Sequence, residues 1–464
     1  MAAEPPRRKP RIADTVDSAV PGVAWPALPR PDVMATLALH EQLQQSEWWR
    51  AQRLAAMQYR QLAQLLIHAR QTVPHYRQAL PRSGQVGAEL LLSLPVLTRG
   101  QIQDDPAALL SNALPKEHLP LQTVRTSGST GRPVQVKITA VTALFRRALY
   151  LREHRWHRRD LSLSASTIRN MPADRGLPPN GARAADWGQG YATRPIDALN
   201  IRATVDEQLD WLQRVRPAYL STFPTNLRAL ANEAVQRGTR LAGLKQACTY
   251  AESIPAGLRE LVRRSLGVPV TDIYSSEEVG PIAFQCPQHE HYHVQAENLL
   301  VELIDDSGRP CPAGAVGRVL VTDLHNFAAP LIRYEIGDYA EAGPACDCGR
   351  GLPVLARILG RTRNMLCMPG GRTRWPTLPS GDELGRIAPI RQFQLVQKDL
   401  HRLDLVLVAA RPLSANEEAR VRAAFLSDLG GGFELTLSFA ASIARTAGGK
   451  YEDFRCEIQH PAAR

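Results

Sequence analysis

The chain has 464 residues, 44% of them hydrophobic and 22% charged, a globular balance that excludes a disordered or collagen-like polymer and leaves room for two or three domains. Its formal charge of +11 admits anionic partners. Only six of the 56 basic residues are lysines, however, and the arginines are spread along the chain without the interleaved aromatics of a single-strand binder, so a solvated arginine-rich surface is expected and nucleic acid is not.

In chain order, residues 1–30 are rich in Pro, Arg and Ala and read as a flexible arm. Its basic residues are followed by no apolar stretch, and no run of about 18 apolar residues occurs anywhere. A soluble, cytoplasmic protein with no membrane partner is therefore expected. From Ala35 to Ala69 apolar residues recur at helical intervals, and Pro74-His75-Tyr76 and Leu94 to Thr98 close that region. An Arg/His-rich helical stretch runs from Arg146 to Arg159. Beyond it, helical patterns alternate with short β-branched runs such as Val268 to Tyr274, which predicts an α/β architecture with crossover helices. Residues 299–340 read as three strands between Gly, Asp and Pro turns, a β-rich subdomain. After Gly360-Arg361 a unit of about 100 residues begins, with two strands, a helix over 415–428 and a strand over 433–439.

Four segments carry chemistry. The loop Thr126-Ser127-Gly128-Ser129-Thr130-Gly131 has glycines that admit close backbone approach and hydroxyls suited to phosphate oxygens, without the Gly-Lys-Ser/Thr ending of a Walker loop. Tyr274-Ser275-Ser276-Glu277-Glu278 follows a predicted strand, where a carboxylate can hold magnesium and an aromatic ring can stack on a base. Asp338, after a Gly turn in Arg333-Tyr334-Glu335-Ile336-Gly337-Asp338, can accept the hydroxyl protons of a ribose. Lys450, on a Gly-Gly turn in a lysine-poor chain, can be swung toward developing negative charge. Each taken alone also reads as an ordinary solvated turn.

In this order the segments resemble those of the adenylate-forming superfamily of acyl-coenzyme A ligases, most closely its phenylacetate–coenzyme A ligase branch, over roughly residues 60–455. The resemblance implies a large N-terminal AMP-binding domain, 31–360, with α/β layers and a β-rich subdomain, and a small mobile α+β lid, 361–464. It implies that Thr126 to Gly131 bind phosphates and that Ala251 and Glu252 line the adenine pocket. Tyr274 with Ser275 would meet the nucleotide, Glu278 the magnesium and Asp338 the ribose, with Arg361 at the hinge and Lys450 as the adenylating lysine. Phe223, Tyr250 and Ser276 are expected around the acid, and the stretch from Arg152 to Arg159 either faces it or is solvated. The implied reaction is ATP-dependent activation of a carboxylic acid through an acyl-adenylate, then transfer to a thiol of coenzyme A or a carrier protein. Transfer to an amine, or a non-catalytic nucleotide-binding relic, are the alternatives, and the oligomeric state stays open, a homodimer included. Ser275, Glu277 and Asn364 depart from the usual pattern.

Seven cysteines in so long a chain make no disulfide framework. Cys286-Pro-Gln-His289 and Cys346-Asp-Cys348 instead supply three thiolates and an imidazole, the donors of a closed tetrahedral zinc site, with His293 the alternate to His289. The phenylacetate-ligase branch often carries a similar set.

Overall fold

The structure is a computed structural model and describes residues 16–458, apart from 17, 82–85, 127–131, 185–186, 188–192, 369, 371, 430–431 and 447. The expected N-terminal helical region forms two helices, Pro31–Ser46 and Ala51–Thr72. The second buries Leu54, Leu62, Leu65, Leu66 and Ala69, one stripe at helical spacing, in the main core.

One 12-stranded sheet organises the large unit. In its parallel half, Ile196–Asn200, Ala165–Arg169, Tyr219–Thr222, Gln246–Tyr250 and Val270–Ser276 lie side by side. Parallel neighbours need crossovers, which the helices Val205–Val215, Pro224–Gln236 and Leu258–Ser265 provide. Thr204 and Glu207 start the first with a reciprocal capping box, and Pro224 starts the second at a position where its missing N–H is harmless. Together they bury Leu209, Trp211, Leu212, Leu227, Leu230 and Val262 against the strands.

Val270–Ser276 is the seam of the sheet, parallel to Gln246–Tyr250 on one side and antiparallel to Gly280–Gln285 on the other. The three strands read between 299 and 340 are Leu299–Ile304, Val316–Asp323 and Tyr334–Ala342. They pair antiparallel and join the seam through Val354–Arg361, Tyr292–Val294 and Gly280–Gln285, so the β-rich region is continuous with the parallel half.

The C-terminal unit has its own four-stranded sheet, in the order Glu434–Phe439, Arg402–Ala409, Ile390–Gln397, Phe454–Cys456. The helix expected over 415–428 is Ala415–Leu429, and it supplies Val421 and Phe425 to a core with Phe393, Leu395, Leu405 and Leu407. No helix among the described residues is long and apolar enough to cross a membrane.

The arginine-rich helical stretch departs from a solvated face. Arg152 is fully buried, donating to Gln295 and Glu297 at 3.0 Å each and to the carbonyl of Leu43 at 2.6 Å. Arg159 is also buried and holds Glu153 and Thr271. Burial works against ionisation of Glu153, yet the Arg159 guanidinium outweighs it and keeps the carboxyl well below the usual carboxylate range. Charges taken out of water persist only when paired, and the acids that pair these arginines come partly from distant parts of the chain.

Candidate active site

A cleft of about 2190 Å³ separates the large and small units, and its walls include Thr126, Phe223, Tyr250, Ala251, Glu252, Tyr274, Ser275, Ser276, Glu278, Asp338, Arg361 and Lys450. Ser127, Gly128, Ser129, Thr130 and Gly131 lie outside the described residues.

The seam strand delivers Tyr274 to the cleft. Its hydroxyl donates to Asp338 Oδ2 at 2.9 Å, and Arg361 Nε donates to Asp338 Oδ1 at 3.3 Å. Instead of following the expected turn, Asp338 lies inside the strand Tyr334–Ala342, after Gly337, whose φ of 86° falls at a bulge against the neighbouring strand, and it stands across the ladder from Arg361. Burial, then the Asp338 carboxylate, push the Tyr274 phenol well above its ordinary range, so it stays a donor. Anchored at both oxygens, Asp338 keeps lone pairs for further hydroxyl donors. Ser275 falls at a register shift in the seam, and Ser276 Oγ accepts from the Val279 N–H at 3.3 Å.

Of the two adjacent carboxylates, Glu277 is exposed and Glu278 is buried. Glu278 Oε1 accepts from Arg99 Nη1 at 3.3 Å and from the Tyr334 hydroxyl at 3.2 Å, while Arg99 Nη2 donates to Thr126 Oγ1 at 3.1 Å. Arg99 thus bridges the beginning of the glycine loop to this carboxylate. It starts a short helix after the capping residue Thr98, and nothing in its local sequence marks it. Magnesium takes one or two carboxylates and completes its shell with water and phosphate oxygens. A single buried carboxylate, linked to Thr126 through Arg99, fits that donor set.

Lys450 sits at the end of a tight turn in which the Gly449 N–H donates to Thr446 O at 2.8 Å and the Lys450 N–H to Thr446 Oγ1 at 3.2 Å. Gly449 has φ 76°, and a Cβ there would lie 3.0 Å from side-chain carbons of Asn170 and Ile201, so only glycine brings this turn so close to the large unit. Burial, then the nearby positive charge of Arg361, lower the lysine pKa, while Asp338, Glu252 and Glu278 oppose them. Ala251 is a non-glycine residue at φ 69°. The half-buried Glu252, also in the cleft wall, has both oxygens engaged by the protein. Its Oε1 accepts from the Tyr451 N–H at 2.7 Å, and its Oε2 from Thr225 N and Oγ1 at 3.1 and 2.7 Å. Phe223 is buried with its ring centroid 5.3 Å from that of Tyr250.

Away from the cleft, Cys286, His293, Cys346 and Cys348 converge with their donor atoms within 4.8 Å of one another. The imidazole of this group is His293. His289 lies instead against Asp347, 2.6 Å away, in a second cluster with Cys346. Cys286 Sγ is 3.9 Å from Cys346 Sγ, and Cys348 Sγ is 3.4 Å from His293 Nε2. A tetrahedral zinc with bonds of about 2.3 Å to sulfur and 2.0–2.1 Å to nitrogen has edges of about 3.8 Å and 3.6 Å, which these two separations approach, and three cysteines with one histidine are a zinc-type donor set.

No protein-family model matches the chain. Among curated relatives, a phenylacetate-coenzyme A ligase of Thermus thermophilus is 28% identical over 378 residues, covering 76% of this chain and 80% of the relative. The enzymes of the same name from Aromatoleum evansii and Escherichia coli are 26% and 25% identical, each over 68% of this chain and over 72% and 73% of their own lengths. Among solved structures, 2-hydroxyisobutyryl-CoA ligase in its postadenylation state, bound to an acyl-adenylate, overlays with a TM-score of 0.69 at 19% identity, covering 89% of this chain and 91% of its own. The same enzyme in its thioesterification state gives 0.56, and in an open conformation 0.54. At these identities the overlays establish the fold.

Proposed function

We propose, for a chain that belongs to the adenylate-forming superfamily, an ATP-dependent acid–coenzyme A ligase activity that proceeds through an acyl-adenylate. The observation that carries this reading is the meeting of Lys450 from the small unit with Asp338 and Glu278 of the large one in a single cleft. ATP and a carboxylic acid bind there together. A carboxylate oxygen attacks the α-phosphorus, the bond from that phosphorus to the bridging oxygen breaks, and pyrophosphate leaves with the electron pair. Lys450 stabilises the charge that grows on the α-phosphate and the entering oxygen. Asp338, braced by Tyr274 and Arg361, accepts the ribose hydroxyls, and the Tyr274 ring borders the adenine beside Ala251. Thr126 and the loop that follows it cradle the departing pyrophosphate. Glu278 holds magnesium, which offsets phosphate charge.

Residues 31–360 and 361–464 act as two bodies that pivot near Arg361 and Asn364. Asn364 Oδ1 accepts from the Arg361 N–H at 3.2 Å and its Nδ2 donates to Phe454 O at 2.8 Å, so the amide ties the pivot to the small sheet in a way aspartate could not. The better overlay on a postadenylation structure than on a thioesterifying or open one of the same enzyme supports an adenylating arrangement. After rotation, a coenzyme A thiol attacks the acyl carbonyl and AMP departs. The relatives' shared name favours an aromatic acid such as phenylacetate. Cys286, His293, Cys346 and Cys348 hold a structural zinc.

A panel of aromatic and aliphatic acids, scored for ATP-dependent pyrophosphate release and then for turnover with coenzyme A, a carrier protein or amines, tests the reading. Acid-dependent release that coenzyme A accelerates is the expected result. ATP binding without release for any acid, under any acceptor, would overturn it in favour of a nucleotide-binding relic.

A further inference from the structure

Lysine loops must be aimed as well as supplied, and two side-chain pairs and one relay through Glu252 bracket Lys450 with the first two turns of the helix Pro224–Gln236. Upstream of the lysine, Arg445 Nη2 donates to Asn226 Oδ1 at 3.1 Å while its Nη1 donates to Gly449 O at 3.2 Å, so one guanidinium ties the large unit to the turn itself. Asn226 is fully buried and its amide is fixed by Gln208 and Thr222, which makes it a rigid acceptor. Immediately downstream, the Tyr451 N–H is held by Glu252, whose other oxygen is held by Thr225. Two residues further on, Arg228 grips Asp453 through both nitrogens, at 2.8 and 2.5 Å, with both side chains largely out of water at 13% and 16% exposure. The guanidinium also lies 5.6 Å over the ring of Phe393 in the small unit.

We propose that this helix is a dock for the lysine loop, and that Arg228 and Asp453 are positioning residues that set Lys450 for adenylation. The proposal rests on the two-step reading above, in which the small unit turns between half-reactions. A bidentate pair spanning the two bodies exists in the docked arrangement and is broken by rotation, so it biases the equilibrium toward the adenylating state alone. Arg228 borders the same cleft, but its fork is committed to Asp453, so it acts on the reaction through the loop. Its removal therefore slows the half-reaction that needs Lys450 and spares the one that follows rotation.

The test compares the unmodified full chain with Arg228→Ala and Arg228→Lys. Pyrophosphate release is measured with phenylacetate, ATP and magnesium, and thioester formation with supplied phenylacetyl-adenylate and coenzyme A. Arg228→Ala is expected to lower adenylation about tenfold or more, within the roughly 5–150-fold range of ordinary conformational couplings, and to leave thioester formation equal or faster. Arg228→Lys, which keeps the charge and loses the fork, falls between. Equal losses in both half-reactions, as a merely structural role would give, or unchanged adenylation, would overturn the dock. Where the unmodified chain releases no pyrophosphate with phenylacetate, the substrate reading fails and the dock is judged separately. Distances between spin labels on unnatural side chains at the exposed positions 235 and 439 are then recorded in the presence of ATP. A narrow distribution that broadens in Arg228→Ala supports the dock, and identical distributions refute it.

Discussion

Replacing Cys348 with alanine is the most direct probe of the thiolate cluster. The cluster joins the end of the hairpin Gly280–Gln285 and Tyr292–Val294 to the loop after Tyr334–Ala342, and the neighbouring Arg350 reaches Glu47 at 3.4 Å and lies 4.6 Å over Trp48. A zinc ion there would cross-link the sheet and support the packing of the N-terminal helices. Free zinc at 1,000 times its Kd contributes about 4 kcal/mol, and with an unfolding entropy of about 2.1 cal/mol/K per residue over a unit of roughly 330 residues its loss lowers Tm by roughly 6 °C. Elemental mass spectrometry on chain purified under reducing conditions without chelator should find one zinc per chain. Cys348→Ala and His293→Ala should lose it and melt early, whereas His289→Ala should retain it. Four protein donors leave no open coordination position, so activity below the melting transition should follow metal content weakly. Metal-free unmodified chain, or a His289→Ala variant that loses zinc as fully as His293→Ala, would refute this assignment.

Three further outcomes are expected at the cleft. Lys450→Ala should cut acid-dependent pyrophosphate release by about 10²–10³, the usual effect of deleting one transition-state donor, and spare thioester formation from supplied adenylate; undiminished release would remove the lysine from the mechanism. Because burial and Arg361 draw the Lys450 ammonium below its ordinary 10.5, adenylation should be full below that lowered value and fade as pH rises through it. Lys450→Arg, which stays charged beyond pH 12 or so, should abolish that alkaline limb in whatever activity it retains, and an unchanged pH profile would assign the limb to another group. Asp338→Asn should weaken ATP binding about 10–100-fold by calorimetry, the equivalent of one hydrogen bond to a charged group; unaltered affinity would place the ribose elsewhere.

Much of the architecture was legible because it is local. Helical periodicity marked Ala51–Thr72 and Ala415–Leu429, and turn residues bounded the strands between 299 and 342. Site candidates were legible for a related reason: a glycine before Lys450, a glycine before Asp338 and a β-branched run leading into Tyr274 are short-range signals, although Asp338 lies inside the strand Tyr334–Ala342 and not after the expected turn. What short-range pattern does not carry is partnership across the chain.

Sequence alone therefore determined the candidate groups, a lysine and two carboxylates for the cleft and three cysteines for a metal, because residue type and local backbone chemistry reside in neighbouring positions. Tertiary structure decided which of them meet. It chose His293 over His289, since only the strand Tyr292–Val294 carries an imidazole between the cysteines, and it turned Glu278 inward and Glu277 out. It buried Arg152 and Arg159 that charge counting assigned to solvent, and it brought Arg99 to Glu278 over 179 positions and Arg228 to Asp453 over 225. Those pairings depend on packing, which balances the desolvation of each charge against a partner that the flanking residues do not announce.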